Sequence, residues 1–301
     1  MRLDGIATFV AVAETGSISE AARRLQLAKS VVSERLSGLE ASLGARLVHR
    51  TTRKLALTED GTAFLDRAAR ILRDIDEATA ELAERRGELV GPLRISAPVT
   101  FGRMYLGPAI VPFLAKHPRI ELTLDLDDRR IDVAASGFDA VVRHGPLGDS
   151  RLTAWRLAPS RRLLVASPVY LARHGLPKSA ADLDGHRAIR YLNRGTADWR
   201  FAVDGSAVVV RGRTALQVNN GDVMRDAAIA GLGIALLPTF IVGAALATGE
   251  LVAIDIGMAA ETEFVFIAHP QGRHPSAKLR AFAACLREAF GDPPYWDTSH
   301  A

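Results

Sequence analysis

Apolar residues recur at the helical period at Leu3, Ile6, Val10 and Ala13, with Phe9 beside them, and Gly16 stands where such a helix stops. Ser17-Ile18-Ser19-Glu20 reads as a capping box for a short second helix to Leu25, the Ser17 hydroxyl accepting a backbone N–H and Glu20 reaching back to the Ser17 N–H. After Gln26-Leu27-Ala28, a third helix is expected from Lys29 to Leu43, ended by Gly44, with Val32, Leu36, Leu39 and Leu43 as its apolar stripe. Lys29, Ser30, Ser33, Glu34 and Ser37 fall on the other side. That face is polar, short-chained and close to the helix start. It suits a solvated surface or a helix whose first turns reach base edges in the major groove, and alone the two readings stand level.

The next segment tips the balance. Leu47-Val48-His49 and Leu55-Ala56-Leu57 read as two strands joined by the basic turn Arg50-Thr51-Thr52-Arg53-Lys54. A hairpin directly after a helix-turn-helix is a wing, whose cations contact phosphate or enter the minor groove. Thr58-Glu59-Asp60 then opens a long helix with acids in its first turn, where the dipole favours them. Along it Phe64, Ala68, Ile71, Ile75, Ala78 and Leu82 alternate in steps of four and three, a heptad seam. A helix lying on its own domain would show the same stripe. The absence of Gly or Pro from Thr62 to Arg86 favours an exposed rod, with Phe64, Ala68, Ile71, Ile75 and Leu82 as a dimerisation seam that spaces two half-sites.

Gly87 and Gly91-Pro92 mark a boundary, beyond which strands and helices alternate. Strands are expected at Leu93 to Ala97, Leu122 to Leu126 and Asp139 to Val142, with helices at Phe101 to Lys116 and over 131–136. This order implies a largely parallel sheet. A second unit begins at Leu163-Leu164-Val165-Ala166 and a helix opened by Ser167-Pro168. A strand at Val208 to Val210, a helix after Asn219-Asn220-Gly221-Asp222, the apolar run Ile234 to Leu237, a strand from Phe264 to Ala268 and a helix from Ser276 to Phe290 complete it. The expected fold is an N-terminal all-α winged helix-turn-helix (1–60) and a linker helix (61–90), followed by a C-terminal α/β two-lobed domain like periplasmic binding proteins (91–301). Lobe I is placed at 91–161 and 268–301, lobe II at 162–267.

Charge matters where it is concentrated. The chain carries a formal net charge of +4, yet between Ala22 and Lys54 eight basic residues face only Glu34 and Glu40, an excess of six. The remainder is slightly acidic, and a basic cluster confined to one module is the footprint of nucleic-acid binding. The single cysteine, Cys285, reads as a small buried hydrophobe and fits a reducing cytoplasm. Trp155, Trp199 and Trp296 read as packing residues. No apolar run is long enough to span a bilayer, and no secretory signal is expected. With no nucleophile elbow, Walker loop, dinucleotide fingerprint or metal-ligand spacing, neither an enzyme nor a cofactor or metal is expected. A transport solute-binding protein would share the two lobes but not the basic module.

Candidate chemistry in the two-lobed domain lies at strand ends. Ser96-Ala97-Pro98-Val99-Thr100 links the first strand to the first helix. Free N–H groups there, with Ser96, Val99 and Thr100 around them, suit a carboxylate. Arg143 and His144 at a comparable edge suit neutralising an anion, and Asn219 and Asn220 precede a helix of the second lobe. Simple helix capping and pairing of Arg143 with an acid would account for the same residues.

Ala21-Ala22, Leu25, Ser30, Val32-Ser33, Leu39-Glu40, Leu43-Gly44, Leu47, Arg50, Arg53, Leu57-Thr58 and Gly61 resemble, in order and spacing, the LysR-type transcriptional regulators. Gly91-Pro92-Leu93-Arg94-Ile95, Phe138-Asp139, Arg143-His144-Gly145, Ala166-Ser167-Pro168, Tyr170-Leu171 and Gly231-Leu232-Gly233-Ile234 resemble that family's effector domain. The resemblance implies that Lys29, Ser30, Ser33, Glu34 and Ser37 face the bases and that Arg50 and Arg53 hold the DNA backbone. It implies two crossings between the lobes and an effector in the cleft. The implied partners are promoter or operator double-stranded DNA, a small organic effector such as a carboxylate or aromatic acid, further copies of the chain in a homodimer or homotetramer, and RNA polymerase indirectly. Two positions depart from the pattern. Ala28 stands where a capping Ser or Thr is usual, and Glu34 where Arg or another polar residue is common; a glutamate there repels phosphate but accepts from a cytosine N4.

Overall fold

A computed structural model of the chain describes residues 2–50, 55–84, 86, 88–129, 133, 137–145, 151–197, 199–203, 206–210, 212–261, 263–271 and 274–297. It divides into two units, Met1–Gly91 and Pro92–Ala301.

The first unit holds α1 (Leu3–Thr15), α2 (Ile18–Arg24), α3 (Lys29–Leu43), the antiparallel hairpin of β1 (Val48–Arg50) and β2 (Leu55–Leu57), and α4 (Glu59–Glu84). Gly16 and Gly44 close α1 and α3 in the left-handed region, φ +63° and +66°, which a Cβ would strain. Ser17 caps α2, its Oγ accepting from Glu20 N at 3.4 Å. The reciprocal half of the expected capping box is not made. Ser17 N donates to Thr15 Oγ1 at 3.4 Å instead, and the exposed Glu20 carboxylate pairs with Arg23 one turn on. α3 starts at Ala28 with no side-chain cap.

One core holds this unit together: Ile6 and Phe9 of α1, Ala21 and Ala22 of α2, Val32, Leu36 and Leu39 of α3, Leu47 and Val48 at the hairpin, and Ala68 of α4. Two polar latches fix the hairpin. Glu40 Oε1 accepts from Leu47 N at 2.8 Å and from Val48 N at 3.2 Å. Thr58 Oγ1 donates to the Arg46 carbonyl at 2.6 Å and accepts from Gly61 N at 2.9 Å, capping α4. Gly61 packs so closely that a Cβ would lie 2.0 Å from the Leu47 carbonyl oxygen.

The second unit starts with β3 (Gly91–Ala97). A helical stretch comes next, made of α5 (Val99–Phe101), a π-turn (Gly102–Leu106) and α6 (Gly107–Lys116). β4 (Ile120–Leu126), β5 (Ala140–His144) and β6 (Leu152–Ser160) complete this part of lobe I. Lobe II contains β7 (Arg162–Ala166), α7 (Pro168–His174), β8 (Arg187–Tyr191), β9 (Arg200–Val203), β10 (Ser206–Val209) and β11 (Arg213–Val218). It continues with α8 (Gly221–Ile229), β12 (Ile234–Pro238), α9 (Thr239–Ala247), β13 (Val252–Ile254) and β14 (Ala259–Ala260). β15 (Glu263–Pro270) returns to lobe I, and α10 (Ala277–Phe290) ends the order. The sheets run β4-β3-β5-β15-β6, β11-β8-β12-β7-β13 and β10-β9-β14.

Both large sheets are mixed rather than largely parallel. β3 is parallel to β5, but β15 is antiparallel to β5 and β6. β8 is parallel to β11 and β12, whereas β7 is antiparallel to β12 and β13. The return to lobe I also comes before Glu263 rather than near 268, because Glu263 already pairs with Ser160. α9 escaped the sequence reading because Phe240, Ile241, Val242 and Ala245 are all buried, leaving no polar face to reveal the helical period. Apart from Val133, the helix expected over 131–136 lies outside the described residues. Trp199 is fully buried in lobe II, and Trp296 packs on Tyr105 with ring centroids 4.6 Å apart. Among the described residues no helix is long and apolar enough to cross a membrane.

Candidate DNA-binding surface and interlobe cleft

α3 divides as its pattern requires. Val32 and Leu36 are fully buried, while Lys29, Ser30, Glu34 and Ser37 are exposed and Ser33 half-buried. Three of the five are serines, so the helix start can come close to a duplex edge, with Lys29 and Glu34 as the longer reaching groups. Several cations nearby are engaged by acids: Arg24 with Glu14 at 2.5 Å, Arg35 with Asp4 at 3.6 Å, and Arg23 with Glu20. Lys29 and Arg46 are exposed and form no ion pair among the described residues. Arg50 ends β1 opposite Leu55, but its side chain and the whole of Arg53 lie outside the described residues.

The apolar stripe of α4 splits into two. Ala68 is fully buried in the core of the first unit, and Phe64 packs against Phe9 with centroids 5.6 Å apart. Ile71 and Ile75 are 37% and 38% exposed, and Leu82 61%. The expected five-residue seam is therefore corrected: its first two members belong to the module's own core, and an uncovered apolar stripe begins at Ile71.

In the second unit β3 and β5 run side by side, with Ser96 opposite Val141, which brings Ser96, Arg143 and His144 to one edge. Arg143 Nη2 donates to Ser96 Oγ at 3.1 Å and to the Arg129 carbonyl at 3.4 Å, and Nη1 donates to the Val142 carbonyl at 2.9 Å. Among the described residues it has no ion-pair partner. Burial draws its guanidinium below the ordinary value, with Asp127 and Asp128 pulling the other way. His144 is held neutral: burial first, then the Arg194 cation, push its pKa down to about 3 against the pull of Glu263. Its Nδ1 is out of solvent contact with no hydrogen-bond partner among the described residues, and its ring meets Phe240 edge-on at 5.5 Å.

Two of the donors expected to be free for a ligand carboxylate, the Val99 N–H and the Thr100 hydroxyl, are already in use. Val99 N donates to Asp128 Oδ1 at 3.0 Å, and Thr100 Oγ1 donates to Asp222 Oδ2 at 2.9 Å. Asn219 is exposed; its neighbour Asn220 caps α8, accepting from Val223 N at 3.1 Å and donating to Asp128 Oδ2 at 3.3 Å. The chain's own carboxylates thus tie the lobes together. Asp222 also pairs with Arg103 at 3.0 Å, the Asp128 carbonyl accepts from Asn193 at 2.7 Å, and Tyr105 Oη donates to the Phe240 carbonyl at 2.8 Å. Glu263 is gripped by both terminal nitrogens of Arg194, with Arg162 at 3.7 Å. Burial works to raise its carboxyl, but these cations outweigh it and hold the group below the usual carboxylate range. About 80 Å³ of open space remains beside Arg143, His144, Tyr191 and Asn193, and about 30 Å³ beside Phe101, Met224 and Phe240. Asp128, Asn193, Arg194, Asp222 and Glu263 had not been singled out from sequence. Each acts on a partner remote in the chain, so no local spacing announces it.

Known proteins resemble both parts of the chain. Residues 3–62 match a family model described as bacterial regulatory helix-turn-helix protein, lysR family, and residues 86–291 match the LysR substrate binding domain. An HTH-type transcriptional repressor of Pseudomonas aeruginosa (strain UCBPP-PA14) is 35% identical, over 97% of this chain and 93% of the relative. The solved CrgA of Neisseria meningitidis, described as a LysR-type transcriptional regulator, is 30% identical, covers 97% of this chain and 100% of its own, and has a TM-score of 0.59. Full-length AphB, a Vibrio cholerae virulence activator, is 29% identical over 95% of this chain and 98% of its own, with a TM-score of 0.60.

Proposed function

This chain belongs to the LysR family of DNA-binding transcriptional regulators and carries that family's effector-binding domain, and on that premise we propose that a small organic anion held at Arg143 controls how it binds its operator. The carrying observation is the pair at the end of β5: a largely desolvated guanidinium whose contacts are neutral oxygens, next to a neutral imidazole with a buried nitrogen left over. A carboxylate placed there gains a charge-assisted hydrogen bond. Small carboxylates and aromatic acids are the favoured class. Ser96, Val99, Thr100, His144 and Asn219 stay around the site, with Asn220 nearer the cleft than Asn219.

At the other end of the chain, Lys29, Ser30, Ser33, Glu34 and Ser37 face the major groove while Arg50 and Arg53 hold phosphate. Ile71, Ile75 and Leu82 pair two copies through α4, and further contacts make a tetramer. The effector favours one arrangement of the lobes, the spacing of the DNA-binding pairs changes, and access of RNA polymerase to the promoter changes with it. All of this takes place in the cytoplasm. The test is a thermal-shift panel of small carboxylates and aromatic acids against the full chain. At least one acid is expected to raise the melting temperature of the wild type but not of Arg143→Gln. An equal shift in both proteins contradicts the site.

A further inference from the structure

A second cavity, about 400 Å³ in volume, shares Arg162 with the cleft and is far larger than the space left there. It lies where the sheets of the second unit meet. Ser160 and Arg162 flank the first crossing between the lobes, Glu263 follows the second, and Phe201 belongs to β9. Leu164, Phe201, Ile254 and Met258 give it an apolar lining. Within that lining Ser160 is 1% exposed and its Oγ has no hydrogen-bond partner among the described residues. A buried hydroxyl left unpaired is unfavourable, and it calls for a missing partner.

The charges around the cavity are already engaged. Glu263 is held by Arg194 and Arg162, Arg161 lies 3.6 Å from Asp297, and Glu261 lies 3.7 Å from Arg200. Asp255, exposed at the edge, repels an anion. This cavity therefore differs in chemistry from the cleft beside Arg143.

We propose that it is a second ligand site, for an uncharged molecule with a ring-sized apolar body and one hydroxyl or carbonyl that pairs with Ser160 Oγ. The occupant touches both crossings, and the Arg162–Glu263–Arg194 cluster connects it to the cleft. Its binding and that of a cleft ligand then alter each other by the same factor.

Methionine methyl resonances separate the two sites, because Met258 lines this cavity and Met224 lines the cleft. Full-length protein labelled with ¹³C-methyl methionine is titrated with benzyl alcohol and, separately, with toluene. The Met258 methyl is expected to shift saturably with both while Met224 stays in place. Ser160→Ala should weaken benzyl alcohol by about three- to tenfold and leave toluene unchanged. Ala260→Leu fills the cavity and should abolish the Met258 response while leaving the Met224 resonance at its wild-type position. A Met224 response at lower concentration than Met258, a Met258 shift that does not saturate or does not occur, or a Ser160→Ala variant that binds benzyl alcohol as the wild type does, overturns the proposal.

Discussion

Gly61→Ala sets two effects of opposite sign against each other. In an open helix position, replacing Gly with Ala stabilises by about 1 kcal/mol. Gly61 is not open: a Cβ there would stand 2.0 Å from the Leu47 carbonyl oxygen and 2.9 Å from its carbon, whereas ordinary contact begins at 3.4 Å. The neighbour is backbone, so α4 and the hairpin must part by the difference, 1.4 Å. That movement breaks the Thr58 N to Leu47 carbonyl bond of 3.0 Å and disturbs both hydrogen bonds of Thr58 Oγ1. Two or three hydrogen bonds at about 1 kcal/mol each, plus about 1–3 kcal/mol of overpacking, outweigh the helix gain and leave the first unit less stable by about 2–5 kcal/mol. Gly38→Ala is the control. Gly38 lies exposed in α3 with nothing within 4 Å of its would-be Cβ, so it should gain about 1 kcal/mol. All three tryptophans and all four tyrosines lie in the second unit, so intrinsic fluorescence is blind to this change. Native-state hydrogen exchange in peptides of α1 and α3 reads it instead. Gly61→Ala protected as well as wild type, while Gly38→Ala gains as expected, would refute the close-packing argument.

Glu34→Ala should alter base preference at one position of each half-site more than it alters affinity; identical selected sequences for the two proteins would remove Glu34 from the readout. Ile75→Asp places a charge on the exposed stripe of α4 and should dissociate the oligomer, read as a fall in solution mass; an unaltered mass contradicts pairing through that stripe. His144, neutral when folded down to about pH 3, faces Arg194, Glu263, Arg162 and Arg143, and its unfolded counterpart takes up a proton near 6.5. His144 therefore contributes a loss of stability to the second unit as pH falls below 6.5, at up to about 1.4 kcal/mol per pH unit, and contributes nothing above it. His144→Gln should flatten that acid limb in urea unfolding followed by the tryptophan fluorescence of the second unit, and equal slopes contradict the buried neutral imidazole.

The first unit was legible because its boundaries are written locally. Gly16, Ser17 and Gly44 start or stop helices through their own backbone or hydroxyl chemistry, and Val32, Leu36 and Leu39 keep the helical period. The latches were not legible. Glu40 holds the hairpin, and Asp128 fills the start of α5 across 29 residues, yet a carboxylate accepting a remote N–H leaves no periodic trace. The stripe of α4 misled for a related reason: a core-facing residue such as Ala68 and an uncovered one such as Ile75 obey the same heptad. Of two adjacent asparagines, sequence reading favoured Asn219. The cue for Asn220 was its place directly before Gly221, at the cap of α8.

The most direct measurement is the affinity of the full-length chain for DNA from upstream of its own gene against unrelated DNA of equal length, at moderate salt. A helix that reads bases through the exposed face of α3 predicts a preference on the order of a thousandfold or more, lost in Ser30→Glu/Ser33→Glu while hydrogen exchange in the first unit stays as in wild type. Equal affinity for the two DNAs, or a preference that survives the double substitution, contradicts the account.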